Sequence, residues 1–201
     1  MARVVILGAG ISGHTAALHL RRLLGKAHEV VVVSPNADYN WIPSNIWVGV
    51  GRMNAGQVTF PLAPVYRKKK IDFRQAKAVE LWPEGDGANN RPTVEIEYTL
   101  PGRAGERERV DYDYLINATG PKLNFAATPG LGPDSGYSVS VCTASHATHA
   151  AGEVRGGHRP ARTRRASAAR DRRGPRHLHV RGSGVRVRVQ RRARAALARR
   201  A

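Results

Sequence analysis

The 201-residue chain reads as an α/β domain with an inserted antiparallel β-meander, followed by an arginine-rich tail without a core. Three observations predict this. Residues 3–34 run apolar segment, glycine turn, helical pattern, apolar segment. Residues 71–117 alternate and are broken by proline and glycine turns. The composition then changes abruptly near Ala150.

Arg3 to Leu7 is a β-branched run of the kind buried on both faces of a parallel sheet. Gly8-Ala9-Gly10-Ile11-Ser12-Gly13 follows at once. From His14 the period becomes helical. Ala16, Ala17, Leu20, Leu23 and Leu24 share one face, and Gly25 is a helix stop. Glu29 to Ser34 is a second buried strand. Strand, glycine turn, helix and strand make a βαβ unit, so the fold predicted for the body is Rossmann-like, in three layers.

The G-x-G-x-x-G spacing assigns each glycine a task. Gly8 permits the tight turn, Gly10 lets a pyrophosphate approach the backbone, and Gly13 lets the helix pack against the strand. The helix N-terminus, with Ala9 in the turn, then presents free N–H groups and partial positive charge to phosphate. The bland alternative is a tight turn with no nucleotide. The second strand ends in Ser34-Pro35-Asn36 where such sites commonly carry an acid for the adenosine ribose. Ser34 or Asn36 can still bond a ribose hydroxyl, without charge assistance. The absence of an arginine there gives no support for a 2′-phosphate.

Asp72 to Leu81, Thr93 to Leu100 and Arg109 to Ile116 read as strands. Residues 83–92 and Pro101-Gly102 read as turns, and the whole as a meander that crosses back into the sheet. Tyr114 to Gly120, "YLINATG", brings an apolar strand into Ala118-Thr119-Gly120. The cluster "YRKKK" at 66–70 reads as a solvated helix end.

The net charge of +18 is unevenly distributed: residues 1–150 carry +3 and residues 151–201 carry +15. The basic balance therefore describes the tail, and nucleic acid is not the expected partner of the body. The tail holds 17 Arg and no Lys, Ile, Phe, Tyr, Trp, Met, Asn or Cys. Such a segment cannot bury enough apolar surface to order itself and is expected to be disordered. "VRVRV" (185–189) reads as an isolated strand and 191–201 as a helix, neither with an apolar partner surface. A functional basic arm competes with a shifted reading frame in a GC-rich gene. The shifted frame is favoured. Reading His179 to Leu197 one base later permits "TFGAAAYEFVFNVERAL", a Gly-Ala turn followed by an amphipathic helix. No apolar run approaches the roughly 20 residues of a membrane span. The first residues resemble a signal peptide only superficially, so a cytoplasmic location is expected. The single cysteine, Cys142, excludes an internal disulfide, and no metal site is expected.

The glycine turn, "YNWIPSNIWVGVG" (39–51), "LINATGP" and "GYSVSVCTASHA" (136–147) together resemble the FAD-dependent pyridine nucleotide-disulphide oxidoreductases. Within these the closest pattern is that of the sulfide:quinone oxidoreductase group. The resemblance covers residues 1 to about 150, roughly the first half or less of such an enzyme. It implies sulfide oxidation through cysteine persulfides, with electrons passed to FAD and then to a membrane quinone. Carried over by position, Gly8, Gly10 and Gly13 hold the FAD pyrophosphate and Ser34 replaces the ribose acid. Pro43 and Ser44 lie near the flavin, and Ala118, Thr119 and Gly120 close over it. Cys142 matches the first of three characteristic cysteines, the one linked in some members with covalent flavin attachment. From its neighbours alone, Cys142 reads as an inert buried thiol. His146 and His149 can polarise it or touch flavin, or are simple helix-face histidines.

The resemblance thus implies an inactive, truncated fragment. Quinone and membrane contact are expected from the half that is missing, with a peripheral cytoplasmic-membrane location for a full-length enzyme. Type II NADH dehydrogenase-like and flavocytochrome c sulfide dehydrogenase-like flavoproteins are the alternatives in the same class. A Rossmann nucleotide-binding protein with a functional basic, nucleic-acid-binding arm is the alternative from another.

Overall fold

The computed structural model describes residues 1–85, 87, 90–133 and 137–156, and the backbone of Arg186–Val187. Along the chain lie β1 (Arg3–Leu7), α1 (Ile11–Leu24), β2 (Glu29–Ser34), β3 (Asp38–Asn40), α2 (Asn45–Gly49), β4 (Thr59–Pro61) and α3 (Leu62–Lys69). They are followed by β5 (Asp72–Trp82), β6 (Thr93–Tyr98), β7 (Arg107–Asp111), β8 (Tyr114–Asn117), α4 (Ala144–Arg155) and β9 (Arg186–Val187). Among the described residues two units separate: 1–37 with 63–119 and 186–187, and 38–62 with 120–156.

The first unit is a mixed sheet in the order β7-β6-β5-β2-β1-β8, with β9 pairing β5. β1 runs parallel to both β2 and β8, and β2 runs parallel to β5. Val4 to Leu7 and Val30 to Val33 are buried along their whole length, as a sheet covered on both faces requires. Val5, Leu7, Val31 and Val33 share a core with Leu81, Val94, Ile96, Tyr98 and Val110. The long β5 makes this possible. It begins beside β2, kinks at a bulge between Ala78 and Glu80, and continues antiparallel to β6. The meander thus covers one face of the parallel strands, and α1, through buried Gly13 and Ala17, covers the other. Helix, parallel sheet and meander stack in three layers, in keeping with the Rossmann-like fold expected with an inserted meander. Gly25 ends α1 at a φ of 57°, in the left-handed region.

The structure corrects three expectations for this unit. Leu23, predicted on the buried face of α1, is 76% exposed, because the helix rests on the sheet through its smaller residues. Arg109 to Ile116 is two strands, not one. The chain turns at Tyr112-Asp113, where the Asp113 carboxylate accepts from the Arg3 N–H (2.6 Å) and the Asp113 N–H donates to the Arg3 carbonyl (3.0 Å). That exchange hands the chain from β7, antiparallel to β6, to β8, parallel to β1. Finally, Arg186–Val187 do have a partner, pairing in parallel with Glu80–Leu81 of β5.

In the second unit β3 and β4 form an antiparallel pair with Tyr39 stacked on Phe60 at 4.7 Å. Val48, Val58 and Ala147 form its core, flanked by Met53 and Ala144. Gly49 lets α2 pack closely: a Cβ there would sit 2.7 Å from Val141 Cγ1, just before α4, and 3.8 Å from Ala150 Cβ on α4 itself. The Thr143 hydroxyl caps α4 by accepting from the His146 N–H (3.1 Å). α4 runs on to Arg155, past the composition change at Ala150. The expectations of a disordered tail, and of a helix over 191–201, fall on residues outside those described.

Candidate functional site

β1 ends where the glycine turn begins. Gly8 donates its N–H to Val33 O (2.8 Å), and Ala118 donates its N–H to Leu7 O (2.8 Å). The turn and the Ala118-Thr119 strand end are therefore fixed to neighbouring strands. Gly8 has a φ of 99°, and a Cβ on it would lie 2.7 Å from Ala118 C and 2.9 Å from Thr119 Cα. A Cβ on Gly13 would run into the Gly8 carbonyl. Both glycines are thus demanded by the fold itself.

Gly10 differs. Its φ of −72° and ψ of −167° are open to any residue, and a Cβ there would meet no protein atom within 4 Å. The protein's own packing does not ask for glycine at this position. Gly10 is the N-cap of α1 and contributes no side-chain cap, and the first turn of the helix carries no acid. The N–H groups of that turn face outward without a carboxylate, and His14 N makes the first intrahelical bond, to Gly10 O (2.8 Å). Burial holds the His14 imidazole below its ordinary value, so it is neutral at pH 7, with Nδ1 2.9 Å from the Tyr66 hydroxyl. Ala9 is buried in the turn.

Ser34, 4% exposed, keeps its hydroxyl near the Asn36 N–H at 3.4 Å, whereas Asn36 is exposed. The Thr99 hydroxyl donates to the Pro35 carbonyl (2.8 Å) and so ties this loop to the end of β6. At the other strand end the Asn117 side-chain oxygen accepts from both the Thr119 N–H (3.3 Å) and the Thr119 hydroxyl (2.8 Å). The structure thus brings Gly8, Ala9, Gly10, Gly13, Ala118 and Thr119 to one end of the parallel sheet. Asn117 and Thr99, to which the sequence reading assigned no role, shape the two flanking loops. An Asn before Ala-Thr-Gly was the only signal available for the first of them.

Pro43, Ser44, Gly120 and Cys142 belong to the second unit. Pro43 and Ser44 lie in a short 3-10 turn closed by the Ser44 N–H on Trp41 O (3.1 Å). Gly120 has a φ of 71°. Cys142 is exposed, which corrects the reading of a buried thiol. It precedes the Thr143 cap of α4 and donates its N–H to the Ser140 hydroxyl (3.1 Å). Asn45, fully buried, holds the preceding residue: its Nδ2 donates to Val141 O (3.0 Å) and to Asn40 Oδ1 (3.0 Å), while its Oδ1 accepts from Asn40 Nδ2 (2.9 Å). The sequence reading missed Asn45, whose only signal was a polar residue in an apolar segment. His149 lies on α4 with Nε2 3.7 Å from Glu153, and among the described residues no cluster suits a metal ion.

Residues 2–185 match the profile of the pyridine nucleotide-disulphide oxidoreductases. The chain belongs to this family. It is 31% identical over 144 residues to the sulfide-quinone reductase of Aquifex aeolicus (strain VF5), covering 72% of this chain and 29% of that protein. It is 30% identical over 129 residues to the external alternative NAD(P)H-ubiquinone oxidoreductase B4, mitochondrial, of Arabidopsis thaliana, covering 64% and 21%. The crystal structure of the sulfide:quinone oxidoreductase from Aquifex aeolicus superposes with a TM-score of 0.63 at 28% identity, over 78% of this chain and 32% of that one. The chain spans less than a third of the length of these relatives. The family match runs to residue 185, past the composition change, whereas the match to the curated sulfide-quinone reductase covers 144 residues. No helix among the described residues is long and apolar enough to cross a membrane.

Proposed function

We propose that this chain is the FAD-binding part of a quinone-reducing flavoprotein of the sulfide:quinone type. The observation that carries the reading is Gly10. The fold accounts for Gly8 and Gly13 but leaves Gly10 unexplained, and a pyrophosphate lying on the α1 N-terminus explains it. Gly8, Ala9, Gly10 and Gly13 form the cradle, with the first-turn N–H groups donating to phosphate oxygens. Asn36, exposed at the end of β2, serves the adenosine ribose together with Ser34. Ala118 and Thr119 close the strand-end side. The family pattern assigns Pro43, Ser44 and Gly120 to the flavin ring. FAD, when bound, supplies a two-electron acceptor that a quinone reoxidises.

The family pattern assigns Cys142 to the first of the three characteristic cysteines, the one linked in some members with covalent flavin attachment, and its exposure ahead of α4 leaves the thiol accessible for that role; the two that carry the persulfide chemistry have no counterpart in this sequence. A persulfide on one thiol needs a second thiol to resolve it, and this sequence has a single cysteine. The chain as given therefore does not turn over sulfide. The composition of 151–201 is assigned to a shifted reading frame. A second reading, an NAD(P)H-oxidising quinone reductase, is favoured by the Arabidopsis relative and has no need of Cys142.

Titration of the purified chain with FAD, followed by quenching of flavin fluorescence, tests the cofactor reading. Saturable binding is expected, and no binding would contradict it.

A further inference from the structure

We propose that the open edge of β8 is a self-association surface, to which a second copy of this chain adds its own β8 in antiparallel. β8 ends the sheet order β7-β6-β5-β2-β1-β8, and among the described residues no strand pairs with its outer side. Ala118 donates its N–H to Leu7 O (2.8 Å), on β1. Backbone groups alternate sides along a strand, so the N–H and C=O groups of Leu115 and Asn117 turn outward. Beside this edge lies an apolar concavity of about 530 Å³, whose lining includes Val4, Leu20, Leu24, Tyr114, Leu115 and Ile116. Tyr114 is 65% exposed there.

The two edges of the sheet differ in charge. β7 runs through Arg107, Glu108 and Arg109, charges of the kind that keep an edge from pairing with a foreign strand. β8, Tyr-Leu-Ile-Asn, has none. The charges that flank it are neutralised within the fold: Asp113 by Arg91 (3.6 Å), Asp111 by Arg91 (3.5 Å) and Arg3 (3.9 Å), and Glu29 by Arg3 (2.6 Å). An uncharged edge with a neutralised rim does not repel another edge of the same kind, and it gives a charged partner such as nucleic acid nothing to hold. Every copy of the chain carries this edge.

The strand also fits itself. Leu115 packs toward the meander with Val5 and Leu7, so alternation places Tyr114 and Ile116 on the α1 side. A two-fold axis through Leu115 pairs that residue with its own copy through a mutual exchange of N–H···O bonds. The same axis sets Tyr114 of each copy opposite Ile116 of the other. Each is an aromatic–β-branched pair, on the face where Leu20 and Leu24 line the concavity. An axis through Ile116 would instead oppose Leu115 to Asn117 and lose both pairs. Main-chain bonds supply the affinity and the side-chain pairs the register. A strand of 4 residues makes a weak and reversible dimer.

The test is sedimentation equilibrium of the full chain, with a reductant present so that Cys142 stays a free thiol. A reversible, concentration-dependent dimer is expected. The positive charge of 151–201 opposes association, so the dimer should tighten as salt rises from about 0.1 M to about 0.5 M. Tyr114→Lys puts a charge on an exposed edge position and removes both cross-strand pairs. It should weaken the dimer about tenfold or more and leave the urea midpoint unchanged. Leu100→Lys lies beyond the end of β6, with β5, β2 and β1 between it and β8, and should leave the dimer as it is. Register is tested in a Cys142→Ser background by mild oxidation with copper phenanthroline, which takes two electrons from a pair of thiols. Leu115→Cys should form a covalent dimer, because directly opposed strand residues stand within disulfide reach, and Leu100→Cys should not. A chain that stays monomeric at every concentration would overturn the proposal. So would a dimer that salt weakens, equal effects of Tyr114→Lys and Leu100→Lys, or crosslinking no faster at 115 than at 100. A monomer whose Leu115 and Asn117 amides exchange slowly would also overturn it, since another segment of the same chain would then hold the edge.

Discussion

At the residue scale, single glycines and one asparagine carry much of the structure. Gly8→Ala combines a φ of 99° with a side chain driven into the Ala118 backbone. Strain of about 1–2 kcal/mol for the conformation adds to about 1–3 kcal/mol for the overlap. Urea denaturation should show a loss of about 3 kcal/mol with an unchanged m-value. Gly13→Ala, aimed at the Gly8 carbonyl, should behave similarly. Asn45→Leu removes three hydrogen bonds from a fully buried position and takes this partner from Asn40 Oδ1 and from the Val141 carbonyl, while Asn40 Nδ2 keeps its bond to Val58 O (3.3 Å). A loss of about 2–4 kcal/mol is expected. Faster amide exchange across 140–146 would confirm that the loss is local to the Cys142 loop. Gly8 and Gly13 were legible in the sequence because their spacing relative to strand and helix is distinctive. Asn45 was not, because a buried polar residue is recognised by its partners, and these come from 40 and 141.

At the scale of elements, the meander is held by a charged network that predicts its own pH dependence. Burial pushes the Glu108 carboxyl up. The Tyr98 hydroxyl, donating at 2.6 Å, and the Arg74 guanidinium, donating at 2.5 Å, outweigh burial and hold it below the usual carboxylate range. A carboxylate with a depressed folded value contributes stability that is present above its unfolded value and lost as pH falls through the folded one. Unfolding free energy should therefore decline as the pH drops below the ordinary glutamate value. In Glu108→Gln that decline should be shallower and the protein about 1 kcal/mol less stable at pH 7. An identical acid slope in the two proteins, measured by urea titration, would contradict this role. The elements of the first unit were legible in part, whereas β3, α2, β4 and α4 carried no periodic signal that was read. β1, β2 and β8 carry apolar runs bounded by turn residues, and the period fixes α1. The break between β7 and β8 was not legible, because it depends on Asp113 meeting the Arg3 backbone across 110 residues of chain. Nor was the exposure of Leu23, since helical periodicity defines a face but not what covers it.

At the scale of the whole molecule, the parallel pairing of β1 with β8 brings two distant sequence signals, the glycine turn and the Ala118-Thr119 strand end, into contact. The chain spans less than a third of its relatives, and its charge is concentrated after residue 150. The chain as given should show no sulfide-dependent quinone reduction; turnover by this single-cysteine chain would contradict the role assigned to further thiols. The central claim, that the α1 N-terminus holds a dinucleotide pyrophosphate, is tested most directly by Gly10→Val. The protein leaves room for the new side chain and its backbone conformation is unrestricted, so stability should fall by about 1 kcal/mol or less, the cost of a poor N-cap. The measurement is FAD binding by fluorescence quenching, made alongside the urea midpoint. A near-native midpoint with FAD binding abolished is the predicted result, and a near-native midpoint with undiminished FAD affinity would contradict the account.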